Sequence, residues 1–76
     1  MSIFFTKHFL TKLGHRKINK VFVLETIKKP DLIRPTYGLR EILYKKFNRY
    51  YLKVIVKRKK EHIIVLTTHW VANIKK

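Results

Sequence analysis

The chain has 76 residues, enough for one domain, because a chain this short buries only about 60% of its unfolded surface and has nothing left for a second core. With 46% hydrophobic residues, 13% aromatics and only two prolines and two glycines it lies away from disordered compositions, and with no cysteine it excludes a disulfide framework and thiolate chemistry. Nineteen Lys and Arg against four Asp and Glu give a formal net charge of +15, a field that opposes folding by self-repulsion and calls for a polyanion: nucleic acid, an acidic protein or an anionic membrane.

Cysteine-free composition fits a cytoplasmic protein held together by packing alone. The four histidines, His8, His15, His62 and His69, have neither zinc-finger nor HExxH spacing, so no metal and no cofactor is expected. The apolar start, Ile3 to Leu13, is interrupted by Lys7, His8 and Lys12 and has no small-residue cleavage site. Neither a signal peptide nor a membrane span is expected.

In chain order, IFFTKHFLTKL sets Phe5, Phe9 and Leu13 at i, i+4, i+8 and predicts a short amphipathic helix from about Thr6 to Leu13, broken by Gly14. Asn19 is a suitable N-cap for a second helix through VFVLETIKK, with Val21, Leu24 and Ile27 or Lys28 toward one face. Pro30 ends it at Lys28 or Lys29, because the residue before a proline is pushed out of the α region. PDLIRPTYG reads as a turn-rich linker wrapping an edge.

After Gly38 the chain reads as strands. LREILYKKF alternates moderately, a turn falls near Asn48 and Arg49, and YYLKVIVK alternates Leu52, Val54 and Val56 against Lys53, Ile55 and Lys57. A second turn, RKKEH, leads to IIVLTTHWV. Strict alternation there puts Ile64, Leu66, Thr68 and Trp70 on one face and Ile63, Val65, Thr67 and His69 on the other. The expected architecture is α+β: N-terminal helices packed on one face of an antiparallel meander of at least three strands, the other face left to solvent or ligand.

If Leu52, Val54 and Val56 face the helices, Lys53, Lys57 and Tyr51 share the opposite face. With Arg40, Tyr44, Lys45 and Lys46 on the neighbouring strand and Arg49 in the turn, that face suits RNA, ammonium groups holding phosphates and rings stacking on bases. The same pattern also fits a solvated face whose tyrosines bridge core and water.

HFLTKLGHRKI, a helix ending in KKPD, then GLREILYKKF, YYLKVIVK and IIVLTTHW together resemble a family of small prokaryotic domains grouped with the RelE-like and barnase-like toxin nucleases. The resemblance runs from about Ile3 to Trp70 and rests on the order of weak motifs. It implies a metal-independent, toxin-like ribonuclease neutralised by an acidic antitoxin, with RNA, free or on the ribosome, as its target. It assigns the N-terminal His to His8, two basic positions to Lys12 and Arg16, and the terminal Thr to Thr67. His69 stands where that family more often has Tyr.

RNA cleavage by the 2′-hydroxyl needs a base, an acid and cations for the phosphorane charge. His8 and His69 are the candidate proton carriers, with Arg16 as a cation, Tyr44 to stack a base or donate to phosphate, and Thr67 to hydrogen-bond a phosphate oxygen. Glu41 is the one carboxylate of the strand region able to act as a base, with an ordinary ion pair to Arg40 or Lys45 as the alternative. His62 and His15 read as turn and linker residues, and Trp70 as core or rim. Two other classes remain open: a nucleic-acid-binding module that cuts nothing, and a basic structural protein of a ribosome or phage particle.

Overall fold

The computed structural model describes residues 2–7, 9–11 and 18–73. Its framework is a five-stranded mixed sheet formed by β1 (Ser2–Phe5), β2 (Leu32–Pro35), β3 (Arg40–Phe47), β4 (Tyr50–Lys59) and β5 (His62–Val71), with α1 (Lys20–Lys28) between β1 and β2. The strand order is β1-β5-β4-β3-β2. The expected three-strand meander is its centre, β3, β4 and β5, and it gains a strand on each flank.

Both flanking strands escape a local sequence reading. The run Ile3–Phe4–Phe5 was expected to lead into a helix, yet Ser2–Phe5 lies parallel to β5, with Ile3 opposite Ile63 and Phe5 opposite Val65. A four-residue strand paired to a segment sixty residues away leaves no local mark beyond its apolarity. At the other flank Leu32–Pro35 pairs antiparallel with β3. The expected edge-wrapping linker is therefore an edge strand, where Pro35 is tolerated because one row of its backbone groups needs no ladder partner.

The helical signals act as their chemistry dictates. Thr6 Oγ1 accepts from Phe9 N at 3.0 Å and caps a helical turn that includes residues 7 and 9–11. Asn19 Oδ1 accepts from Val21 N at 2.9 Å, so α1 starts where its cap requires. It stops at Lys28, with Lys29 N donating to Glu25 O, ahead of Pro30. Its buried stripe is Val23, Thr26 and Ile27, at i, i+3 and i+4, whereas Val21, expected on one face with Leu24 and Ile27 or Lys28, is 55% exposed. The Thr26 hydroxyl enters the core by donating to Phe22 O at 2.8 Å.

Both turns between long strands are two residues long. Phe47 pairs with Tyr50 around Asn48–Arg49, and Lys59 with His62 around Lys60–Glu61. Asn48 (φ 58°) and Lys60 (φ 55°) take the positive φ that tight hairpins require at their first central residue. The second turn is narrower than the expected RKKEH, and the strands are correspondingly longer.

The helical segments cover one face. Phe9, Ile18, Val23 and Ile27 pack with Leu43, Leu52, Val54, Val56, Ile63 and Val65 in a single cluster. Each fully buried aliphatic side chain there contributes about 1.5–3 kcal/mol by leaving water.

Candidate nucleic-acid interface

Register decides which side chains share the helix-free face. On β4, Leu52, Val54 and Val56 are fully buried beneath the helices, so Tyr51, Lys53, Ile55 and Lys57 project from the opposite face, as expected, and Lys59, expected in the turn, joins them. Across β3 the pairs Leu43–Val54 and Lys45–Leu52 lie on the helix side; Arg40–Lys57, Ile42–Ile55, Tyr44–Lys53 and Lys46–Tyr51 lie on the open side. β2 adds Leu32 and Arg34 through the pairs Leu32–Tyr44 and Arg34–Ile42.

Lys45 is therefore a correction. Arg40, Tyr44, Lys45 and Lys46 cannot all occupy one face of a strand with period two, and Lys45 is the one that turns away. Its Nζ donates to Lys29 O at 3.0 Å, holding the chain just beyond the end of α1. Glu41 also lies on the helix side, opposite Val56, and pairs with Arg58 rather than with Arg40 or Lys45. That ion pair removes it as a base for the open face.

β5 departs from strict alternation. Ile55 pairs with Thr67 but Val56 with Val65, so Leu66 is an extra residue in a β-bulge. The buried face consequently runs Ile63, Val65, Thr68, and Trp70 packs against the same core; the open face runs Ile64, Thr67, His69 and Val71. Thr67 and His69 do share a face, as expected, but with Ile64 rather than Ile63 and Val65. Trp70 shares its face with Ile63 and Val65 rather than Ile64 and Leu66. A single inserted residue flips everything beyond it, and no alternation count reveals it.

The result is a transverse row: His69 opposite Lys53 on β4, Lys53 opposite Tyr44 on β3, and Tyr44 opposite Leu32 on β2. Directly opposed residues of antiparallel strands hold their Cβ atoms about 4.5–5.5 Å apart, so side chains carrying an imidazole, an ammonium and a phenol leave the sheet at neighbouring positions of one row. Thr67 lies one row along, with Ile55 and Ile42. Tyr44 is only 7% exposed, and a shallow cavity beside it is lined by Lys53, Val71, Ala72 and Asn73. On the far side of Thr67, Arg40 opposes Lys57 and the two line a second cavity with the exposed Tyr37. From Lys53 to Lys57 the face extends roughly 13 Å along β4.

No open-face strand position carries a carboxylate. All four acids lie elsewhere: Glu25 in α1, Asp31 ahead of β2 accepting from Lys46 N at 2.9 Å, Glu41 on the helix side, and Glu61 in a turn. Arg34, Arg40, Lys46, Lys53, Lys57 and Lys59 therefore share a face with no anion on its strands.

His8, Lys12, Arg16 and His15 lie outside the described residues. His62 opens β5, is exposed, and sets its ring edge-on to Phe4 with centroids 5.2 Å apart. Among the described residues no three side chains of metal-ligating type converge, and no helix is long and apolar enough to cross a membrane. Arg49 sits in the β3–β4 turn, at the end of the sheet rather than on the face. Residues around that turn form a cleft that sequence reading missed: Phe22, Phe47, Tyr50 and Trp70, with Lys46, Asn48 and Arg49 on its walls. The available signal was the density of aromatics flanking Asn48–Arg49.

No protein-family model matches this chain, and neither a curated protein nor a solved structure matches it.

Proposed function

We propose that the protein binds single-stranded RNA across the open sheet face and cleaves it there by metal-independent acid–base chemistry, as a small toxin-like ribonuclease. The observation that supports this reading is the His69–Lys53–Tyr44 row, set in a face whose strand positions carry cations and no carboxylate. Phosphates held by Lys53, Lys57, Arg40 and Lys46 bring a scissile phosphodiester over the row. In the reaction, the 2′-oxygen loses its proton and attacks phosphorus, the bond to the 5′-oxygen breaks, and that oxygen takes up a proton. The products are a 2′,3′-cyclic phosphate and a 5′-hydroxyl.

His69 carries a proton in one half of this exchange, since imidazole both donates and accepts near neutral pH. Lys53 balances charge on the phosphorane, and Thr67 and Tyr44 hydrogen-bond its oxygens. The partner proton carrier and a further cation are assigned to His8 and Arg16 on the resemblance alone. An acidic antitoxin protein would cover the same face and relieve the +15 charge.

Two observations favour a second reading, a module that binds RNA without cutting it. Tyr44 is 7% exposed, too covered to stack a base, and His69 is the one imidazole in the row. The test is a 5′-labelled oligoribonucleotide incubated with the protein in excess chelator, beside the same oligomer carrying 2′-O-methyl groups. The nuclease reading requires a cyclic-phosphate product from the first and binding without cleavage of the second. Equal binding with neither cut establishes the binding module.

A further inference from the structure

The cleft at the β3–β4 end is built unlike the rest of the surface. The rings of Phe22 and Phe47 are 4.8 Å apart and tilted by 34°. Trp70 stands edge-on to both, at 6.1 and 6.0 Å. Phe22 is 36% exposed and Tyr50 52% exposed, so aromatic surface from α1, β3, β4 and β5 converges and is left open to the solvent. Contiguous exposed aromatic surface on a small domain marks a contact site, because scattered single residues would not need to meet. Its rim is cationic, with Lys46 on one strand and Arg49 in the turn that Asn48 fixes through its positive φ.

An apolar protein segment would have no use for that cationic rim, and a plain acidic peptide would have no planar group to lay against four rings. A nucleobase on its phosphate backbone satisfies both demands: the ring stacks, the phosphate meets ammonium and guanidinium. Lys46 connects the two regions. It lies on the open face opposite Tyr51, its Nζ 6.0 Å from the centroid of that ring, and it also lines the cleft. The row Lys46–Tyr51–Val71 is next to the row Tyr44–Lys53–His69 on the same face. Phe47, Tyr50 and Trp70 have the parity of Leu52, so the cleft opens on the helix side of the sheet's end, and a strand lying over His69 and Lys53 reaches it by passing Lys46 and turning around the hairpin tip.

We infer that this cleft is a nucleobase-binding pocket, which takes an unpaired base of single-stranded RNA flanking the stretch held on the open face. The inference rests on the proposed RNA binding and adds to it a site that selects for bases rather than phosphates. Phosphate contacts fix position along the sheet; the pocket fixes which nucleotide sits over the row.

Trp70 is the chain's single tryptophan and forms part of the cleft, so its emission reports entry directly. The experiment titrates the wild-type protein with oligo-uridine, with an abasic oligomer of equal length and charge, and with poly-glutamate, following tryptophan emission and affinity. Oligo-uridine should quench Trp70 and bind about tenfold more tightly than the abasic oligomer, which binds through phosphates alone. Tyr50→Ala and Phe22→Leu, both at exposed positions, should remove most of that difference while leaving abasic affinity unchanged. Equal affinity of both oligomers with unmoved tryptophan emission would overturn the pocket and leave the open-face reading standing. Failure of both oligomers to bind would overturn both readings, and quenching by poly-glutamate equal to that by oligo-uridine would make the cleft a protein-docking surface instead.

Discussion

The two faces of the sheet are made from the same strands and obey opposite rules. On the helix side Leu43, Leu52, Val54, Val56 and Val65 are aliphatic and fully buried. On the open side the positions directly between them are Tyr44, Lys53, Ile55, Lys57 and Thr67, partly exposed or cationic except for the covered Tyr44. Stability is thus concentrated on one side of the backbone and charge on the other, one residue apart. Six of the nineteen cations, Arg34, Arg40, Lys46, Lys53, Lys57 and Lys59, stand on a face that contributes little to the core, where their mutual repulsion is ready to be relieved by an anion.

Substitutions can break this division in either direction. The largest effect belongs to the open side. His69→Gln keeps hydrogen-bonding groups at the position but removes the proton carrier, and should lower RNA cleavage by about 10²–10⁴-fold while binding in a gel-shift assay and the melting temperature stay near wild type. Parallel loss of binding and melting temperature would show that His69 is a packing residue. Leu43→Ala should behave inversely. It leaves a cavity in the centre of the core and should cost about 2–5 kcal/mol, against a total stability for this length of roughly 4–11 kcal/mol, so thermal unfolding should show a drop of well over 10 °C or a chain unfolded at 37 °C. Folded molecules of that variant should still bind RNA.

Smaller changes sharpen the boundary. Asn19→Ala removes the acceptor that starts α1 and should cost about 1 kcal/mol by urea denaturation, with no change in affinity for an abasic oligomer held by the open-face cations alone. Glu41→Gln breaks the ion pair with Arg58, whose side chains are 27% and 44% exposed, and should shift stability by less than about 1 kcal/mol. If Glu41 were instead a catalytic base, that substitution would abolish cleavage.

The parts legible in the sequence are those set by nearby residues. Asn19 as a cap, Pro30 as a stop, the turns at Asn48–Arg49 and near Lys60, and the alternation of Leu52, Val54 and Val56 all depend on chemistry within a few positions. What escaped depends on distant partners. The strand Ser2–Phe5 exists because β5 lies beside it, and Leu32–Pro35 because β3 does. The buried stripe of α1 settles on Val23 rather than Val21 because the sheet, not the helix, determines which side is covered. The candidate site was half legible for the same reason. Lys53, Lys57, Tyr51 and Tyr44 follow from period two, but the bulge at Leu66 sets what accompanies Thr67 and His69, and the aromatic cleft needs four elements to meet.

The central claim, that the open face of the sheet holds the RNA phosphates and its helix side does not, is tested most directly by two lysines of the β3–β4 hairpin. Lys45 and Lys53 lie one cross-strand step apart and point to opposite faces, so Lys45→Gln and Lys53→Gln remove the same charge from nearly the same place. The measurement is the slope of the logarithm of RNA affinity against the logarithm of salt concentration. Lys53→Gln should reduce its magnitude by about 0.7, the loss of one phosphate contact to a single strand, and Lys45→Gln should leave it unchanged. Equal changes in both slopes, or none in either, would contradict the account.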